Sequence, residues 1–102
     1  MSDQVRVEYD KLNDVASRFS KQGEVANTLF QMLTSKLGPL RAGSFKGEAA
    51  DAFFREMDEK LFPAIKRLQE LMVESAAVTN ETARTFKQAD EESSSRFKGY
   101  CQ

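Results

Sequence analysis

The sequence predicts an all-α fold in which two helices pair as an antiparallel hairpin and two hairpins form a four-helix bundle as a dimer. Three observations support this prediction. Apolar side chains recur at steps of three and four along two long stretches, a Gly-Pro pair separates these stretches, and many apolar residues lie outside both stripes. A chain of 102 residues has the length of one domain, so we expect a single domain over residues 1–102.

The first helix is predicted over residues 5–38. Its apolar or small stripe consists of Val5, Tyr9, Leu12, Ala16, Phe19, Gly23, Ala26, Phe30, Leu33 and Leu37. These positions form a heptad pattern, which keeps one stripe facing one neighbouring helix. Gly23 within the stripe fits either close packing or a hinge. We expect the helix to end at Gly38, because glycine adopts the left-handed conformation and Pro39 cannot continue the helix.

A turn is predicted over residues 39–46, and its shortness favours antiparallel helices. The second helix is predicted over residues 47–93. Ser44 is the expected N-cap, and Glu48 and Asp51 lie near the positive end of the helix dipole.

The second helix also carries a stripe, which becomes polar towards its end. Its members are Ala50, Phe54, Met57, Leu61, Ile65, Leu68, Met72, Ser75, Thr79, Thr82, Phe86 and Ala89. Pro63 removes one backbone hydrogen bond to the carbonyl of Glu59, so we expect a kink there or a break into two helices. Residues 94–102 are rich in serine and charge and are expected to fray.

A two-helix hairpin buries only a thin core, so its remaining apolar residues need a partner. The predicted helix-packing interface comprises Leu12, Phe19, Phe30, Leu33, Phe54, Leu61 and Leu68. The apolar residues off the two stripes are Val15, Val25, Leu29, Met32, Phe53, Phe62, Leu71 and Val73. Burying four of them on association would contribute roughly 6 to 12 kcal/mol before the cost of association. This favours a homodimer, or a heterodimer with a similar hairpin.

The composition disfavours several classes of function. A net charge of −1 and a pI near 5.5 give no basic surface for nucleic acid. Histidine is absent, which removes the commonest general base and metal ligand, so we expect no enzyme, no cofactor and no metal site. The N-terminus lacks the pattern of a secretory signal, and no stretch is apolar enough to span a membrane. The only cysteine, Cys101, is expected to be an inert thiol near the C-terminus.

The centre of the chain carries a distinctive segment, Ser44-Phe45-Lys46-Gly47-Glu48-Ala49-Ala50-Asp51-Ala52-Phe53. It resembles the turn of the WXG family of small ESAT-type substrates of type VII secretion in Gram-positive bacteria, with Phe45 in the place of tryptophan. The resemblance covers essentially the full chain. It implies a turn motif of Phe45, Gly47 and Ala50, in which Phe45 folds back over the end of the bundle. From the residues themselves, we expect Gly47 to let the backbone pass close to the neighbouring helix.

The family also carries an export signal, a tyrosine followed four residues later by an acidic residue. Phe86 and Asp90 stand at that position here. Residues four apart share one helix face, so the pair can present an aromatic ring and a charge to one receptor. The alternative interpretation is that Phe86 belongs to the core and Asp90 is solvated.

The resemblance implies a non-enzymatic protein that a type VII apparatus exports as a folded dimer, without a cleaved signal peptide. Its expected partners are a similar hairpin or a second copy, and the type VII secretion ATPase. An alternative is an intracellular adaptor or chaperone that pairs with a larger exported toxin. Contact with membranes is disfavoured, because the helices lack a basic polar face and tryptophan.

Overall fold

The computed structural model describes the backbone of residues 3–101 and the side chains of residues 3–93. Helix α1 spans Asp3–Ala42 and is followed by a turn at residues 43–47. Helix α2 spans Glu48–Glu56, a short π-helical segment covers Met57–Leu61, and helix α3 spans Phe62–Cys101. Residues 3–101 contain no strand, and the predicted all-α helical hairpin is confirmed. The pairing of two hairpins remains a prediction.

The chain divides into two compact units. Unit 1 combines residues 3–20 of α1 with residues 73–101 of α3. Unit 2 covers residues 21–72, which include the second half of α1, the turn, α2, the π-helical segment and the start of α3. In each unit, residues of the stripe predicted for α1 face the returning chain. We call this contact between α1 and the returning chain the seam.

The stripe predicted for α1 is confirmed, because every one of its members is buried or half-buried. Ala16, Gly23 and Ala26 are the buried small residues, and Leu37 is the buried large one. The small side chains allow a close approach of the returning chain, while the half-buried aromatic residues cover the edges of the seam. The burial of Gly23 agrees with close packing.

The predicted end of the first helix at residue 38 is wrong, since α1 continues through Pro39 to Ala42. Pro39 cannot donate to the carbonyl of Ser35, but Ser35 is exposed and water can satisfy that oxygen. The last turn is held instead by Arg41, whose guanidinium contacts Asp58. The helix ends at Ala42, and a Cβ atom on the following Gly43 would lie 2.9 Å from the carbonyl oxygen of Pro39.

The predicted N-cap is also wrong, because Gly47 rather than Ser44 precedes α2. Gly47 has φ 113° and ψ −179°, which is a conformation open essentially to glycine alone. Its carbonyl oxygen accepts a hydrogen bond of 2.9 Å from the backbone N–H of Asp51. Glu48 and Asp51 do lie in the first turn, as predicted.

Pro63 does not break the helix. The irregularity lies directly before it, in the π-helical segment Met57–Leu61, where the N–H of Phe62 bonds to the carbonyl of Met57. A π turn holds one more residue than an α turn, which moves the later inward positions one residue along the chain. Ile65 is buried as predicted, but Gln69 then faces inward and Leu68 lies exposed.

The shift persists along α3 and corrects part of the predicted stripe, although Met72, Ser75 and Thr79 are half-buried as predicted. Thr82, Phe86 and Ala89 are exposed, whereas Ala76 and Ala83 are buried and Asp90 is half-buried. The sequence pattern placed residues in the seam by their hydrophobicity, but in this part of α3 the buried residues are small alanines. The predicted end of the second helix at residue 93 is wrong, because the backbone remains helical to Cys101, and the fraying expected from residue 94 stays a prediction.

Candidate interaction surfaces

The turn is organised by three phenylalanine rings. Phe45 contacts Phe53 and Phe54 at ring-centroid distances of 5.9 Å and 5.6 Å, and Phe53 contacts Phe54 at 5.4 Å. All three pairs are edge-to-face, which is a favourable geometry for aromatic rings. Phe45 therefore folds back onto α2, and its predicted place over the end of a bundle stays a prediction. Its ring and that of Phe53 still remain partly exposed.

Arg41 connects the end of α1 to the returning chain. Its guanidinium lies 4.6 Å from the centroid of the Phe54 ring and donates two hydrogen bonds to the carboxylate of Asp58. A guanidinium matches a carboxylate in this two-bond arrangement and can stack on an aromatic ring at the same time. The sequence does not predict this pair, because Asp58 lies 17 residues beyond Arg41 and no local pattern joins them.

The other two residues of the predicted turn motif have separate roles. Ala50 is buried, at 1% exposure, so its small side chain fills the base of the turn. A Cβ atom on Gly47 would meet no heavy atom within 4 Å, which contradicts the expected close approach at that residue. Gly47 is required by its positive φ rather than by crowding.

Six of the seven residues predicted for helix packing lie half-buried in the seam. They are Leu12, Phe19, Phe30, Leu33, Phe54 and Leu61. Leu68 is the exception, at 47% exposure, because the π turn has moved it out of the seam. It is therefore not part of the packing within the hairpin.

Leu68 instead belongs to an exposed apolar groove in unit 2. We define the apolar groove as Gln22, Val25, Ala26, Leu29, Leu68 and Met72. None of these residues is charged, and Val25 and Leu29 are 55% and 42% exposed. On α1 the groove adjoins Met32, which is also exposed, and the charged residues Lys21 and Glu24. Such a surface is typical of a site covered by another molecule.

The opposite flank of unit 2 carries an aromatic cleft. We define the aromatic cleft as Phe30, Thr34, Arg41, Asp58, Phe62, Pro63 and Lys66. The Phe30 and Phe62 rings meet edge-to-face at 5.3 Å, and the Lys66 ammonium lies 5.2 Å from the centroid of the Phe30 ring. Phe62 is thus half-buried, although it was expected to be one of the apolar residues left uncovered by the hairpin.

The two residues of the predicted export signal lie in unit 1 and differ in exposure. Phe86 is 39% exposed, so it is accessible to a receptor. Asp90 is half-buried, and its Oδ2 atom is buried with no hydrogen-bond partner among the described residues. Lys87 lies between them in sequence, and its ammonium is 5.3 Å from the centroid of the Tyr9 ring on α1. Phe86 and Asp90 lie four residues apart on α3, and their joint presentation to one receptor stays a prediction.

Two features of the described residues concern metal binding and membrane insertion. They contain no group of three or more Asp, Glu, Cys or His side chains that could hold a metal ion. None of the described helices has both the length and the apolar character needed to cross a bilayer.

The comparisons with known proteins gave one finding. The model of the WXG100 family, described as proteins of 100 residues with WXG, matches residues 4–91. The matched region includes all of the turn and both residues of the predicted signal. Comparisons with curated proteins and with solved structures gave no match.

Proposed function

Because the chain belongs to the WXG100 family of small helical proteins linked to type VII secretion, we propose that a type VII system exports it as a folded dimer. Export of this kind needs no cleaved signal peptide, and the protein acts outside the producing cell. The proposal involves no catalysis and no cofactor, since the surfaces of the hairpin are suited to binding other proteins.

The apolar groove is the observation that supports dimer formation. A groove without charge, lined by Val25, Leu29 and Leu68, is costly to expose to water and favourable to cover. A helix of a second hairpin is the natural occupant, because apolar residues at steps of three and four pack against a similar ridge. Either a second copy or a related hairpin can supply it.

Two glutamate substitutions test the dimer. We expect Leu29→Glu and Leu68→Glu to weaken the dimer at least tenfold, because each one buries a carboxylate in an apolar interface. Light scattering across micromolar concentrations measures the effect, and circular dichroism checks that the hairpin stays helical. Gln31→Glu is the matched control, since Gln31 is exposed on α1 outside the groove. A wild-type chain that is a folded monomer throughout this range would contradict the homodimer and leave a related hairpin as the partner.

We further propose that Phe86 and Asp90 form the export signal, read by the type VII secretion ATPase. Phe86 has an exposed ring on α3, and the Oδ2 atom of Asp90, which has no partner within the described part of the chain, could accept a hydrogen bond from a receptor. Asp90 becomes accessible when the end of α3 separates from α1. Binding of the receptor therefore includes a local opening of unit 1.

An export assay tests these two residues in a host that secretes the wild-type chain. We expect Phe86→Ala and Asp90→Ala to reduce the secreted fraction about tenfold, which corresponds to the loss of one good contact each. Thr85→Ala and Glu91→Ala are the matched neighbours, both exposed on the same helix. Equal export of all four variants would remove Phe86 and Asp90 from the signal.

A second candidate function is an intracellular adaptor for a larger exported toxin. The burial of the Asp90 oxygen favours it, because a chain whose own signal is hidden depends on the signal of its client. The two functions differ in their preferred partner. A stable homodimer supports direct export, whereas a chain that is a monomer alone and pairs only with the helical region of a toxin supports the adaptor.

A further inference from the structure

We propose that the aromatic cleft is a second docking site, which takes an acidic peptide segment presenting one large apolar side chain beside a carboxylate. The site is separate from the apolar groove and from the predicted signal. It goes beyond the proposed function, because neither dimer formation nor export requires it.

The floor of the cleft is formed by apolar side chains. The rings of Phe30 and Phe62 meet edge-to-face at 5.3 Å, and Pro63 lines the cleft next to them. The π-helical segment directly precedes Phe62 and Pro63, and such segments occur frequently at functional sites. An aliphatic or aromatic side chain of a partner would cover these surfaces and be removed from water.

The rim of the cleft carries one net positive charge. Arg41 and Asp58 neutralise each other through two hydrogen bonds, so neither offers its charge to a partner. Lys66 has no carboxylate within ion-pair distance among the described residues, and its ammonium is held beside the ring of Phe30. A cation next to an apolar floor is complementary to a carboxylate next to an apolar side chain.

The cleft stays open when the groove is covered. Leu29 and Leu68 lie on one flank of the seam of unit 2, whereas Thr34 and Lys66 lie on the other flank. A second hairpin seated on the apolar groove therefore leaves the aromatic cleft accessible. A dimer can accordingly bind an acidic segment of a third protein without dissociating.

A helical peptide pair tests the cleft. The probe is a fluorescein-labelled synthetic peptide with one Phe and one Glu four residues apart, and its partner peptide carries Lys in place of Glu. Binding to the full chain is measured by fluorescence anisotropy and located by amide chemical shifts. The variants are Lys66→Glu in the cleft and Arg67→Glu outside it, which make the same charge change on neighbouring exposed residues.

We expect the acidic probe to bind the wild-type chain with a Kd below about 1 mM, and Lys66→Glu to weaken it at least tenfold. Arg67→Glu should change the Kd less than about threefold, since it alters only the long-range field. The largest chemical shifts should fall at Phe30, Thr34 and Lys66. Equal effects of the two variants, equal binding of both peptides, shifts centred on Leu29 and Leu68, or no binding at 1 mM would each overturn the proposal.

Discussion

Gly47 determines how the chain enters α2. Its φ of 113° with ψ near 180° lies outside the conformations that residues with a Cβ atom readily adopt. The two aromatic contacts of Phe45 depend on this entry, because Phe45 precedes Gly47 by two residues and must point back to α2. The sequence identified Gly47 as a turn residue. The reason for glycine was wrong, since a spacing pattern carries no information about backbone dihedral angles.

Gly47→Ala should lower the free energy of unfolding by about 1 to 3 kcal/mol, the usual cost of a strained backbone conformation. Gly38→Ala is the matched control. Gly38 lies within α1, its φ is not positive, and an added Cβ would meet nothing within 4 Å, so the change should stabilise by about 0.4 to 1 kcal/mol. Urea unfolding at one fixed protein concentration compares both variants with the wild type. A Gly47→Ala variant as stable as the wild type would show that the turn tolerates another conformation.

At the scale of the helices, α1 was predictable and α3 only in part. The stripe of α1 follows an uninterrupted heptad pattern from Val5 to Leu37, so hydrophobicity alone identifies its inward face. In α3 the π turn adds a residue before Ile65, and a pattern continued at the same steps then selects Leu68 instead of Gln69. Pro63 indicated an irregularity, but its presence alone does not say whether the chain kinks, breaks or forms a π turn.

The ends of the helices depend on contacts that sequence patterns do not contain. Gly38 and Pro39 are strong stop signals, yet α1 continues for a further turn to Ala42. The contacts of Arg41 with Asp58 and Phe54 stabilise this turn and involve residues far along the chain. The tertiary contact therefore outweighs the local preference.

At the scale of the whole molecule, the apolar residues left over by the seam were predictable as a group. Val15, Val25, Leu29 and Met32 are all exposed, as a thin two-helix core requires. Which of them border the apolar groove was not predictable, because that depends on the side of the seam to which each residue of α3 turns. The aromatic cleft was not predicted for the same reason, since Phe62 was expected to be uncovered but forms part of the floor of the cleft.

The two units differ in the side chains that their seams bury. In unit 2 the returning chain contributes Phe54, Leu61 and Ile65, whereas in unit 1 it contributes mainly Ala76, Thr79 and Ala83. Less apolar area is removed from water by these small residues, so less free energy holds unit 1 closed. This difference agrees with the local opening that recognition of Asp90 requires.

Native-state hydrogen exchange should therefore show backbone amides of unit 2 protected at least about tenfold more than those of unit 1. Thr79→Val should raise protection in unit 1, because Thr79 is half-buried in the seam and valine adds apolar contact at nearly constant shape. Thr82→Val is the matched control, since both threonine hydroxyls donate to the carbonyl four residues earlier but Thr82 is exposed. In the Thr82→Val variant, the backbone amides of unit 1 should be protected as in the wild type. Uniform protection from residue 5 to residue 90 would mean that both units open together, and the selective opening near Asp90 would then have no basis.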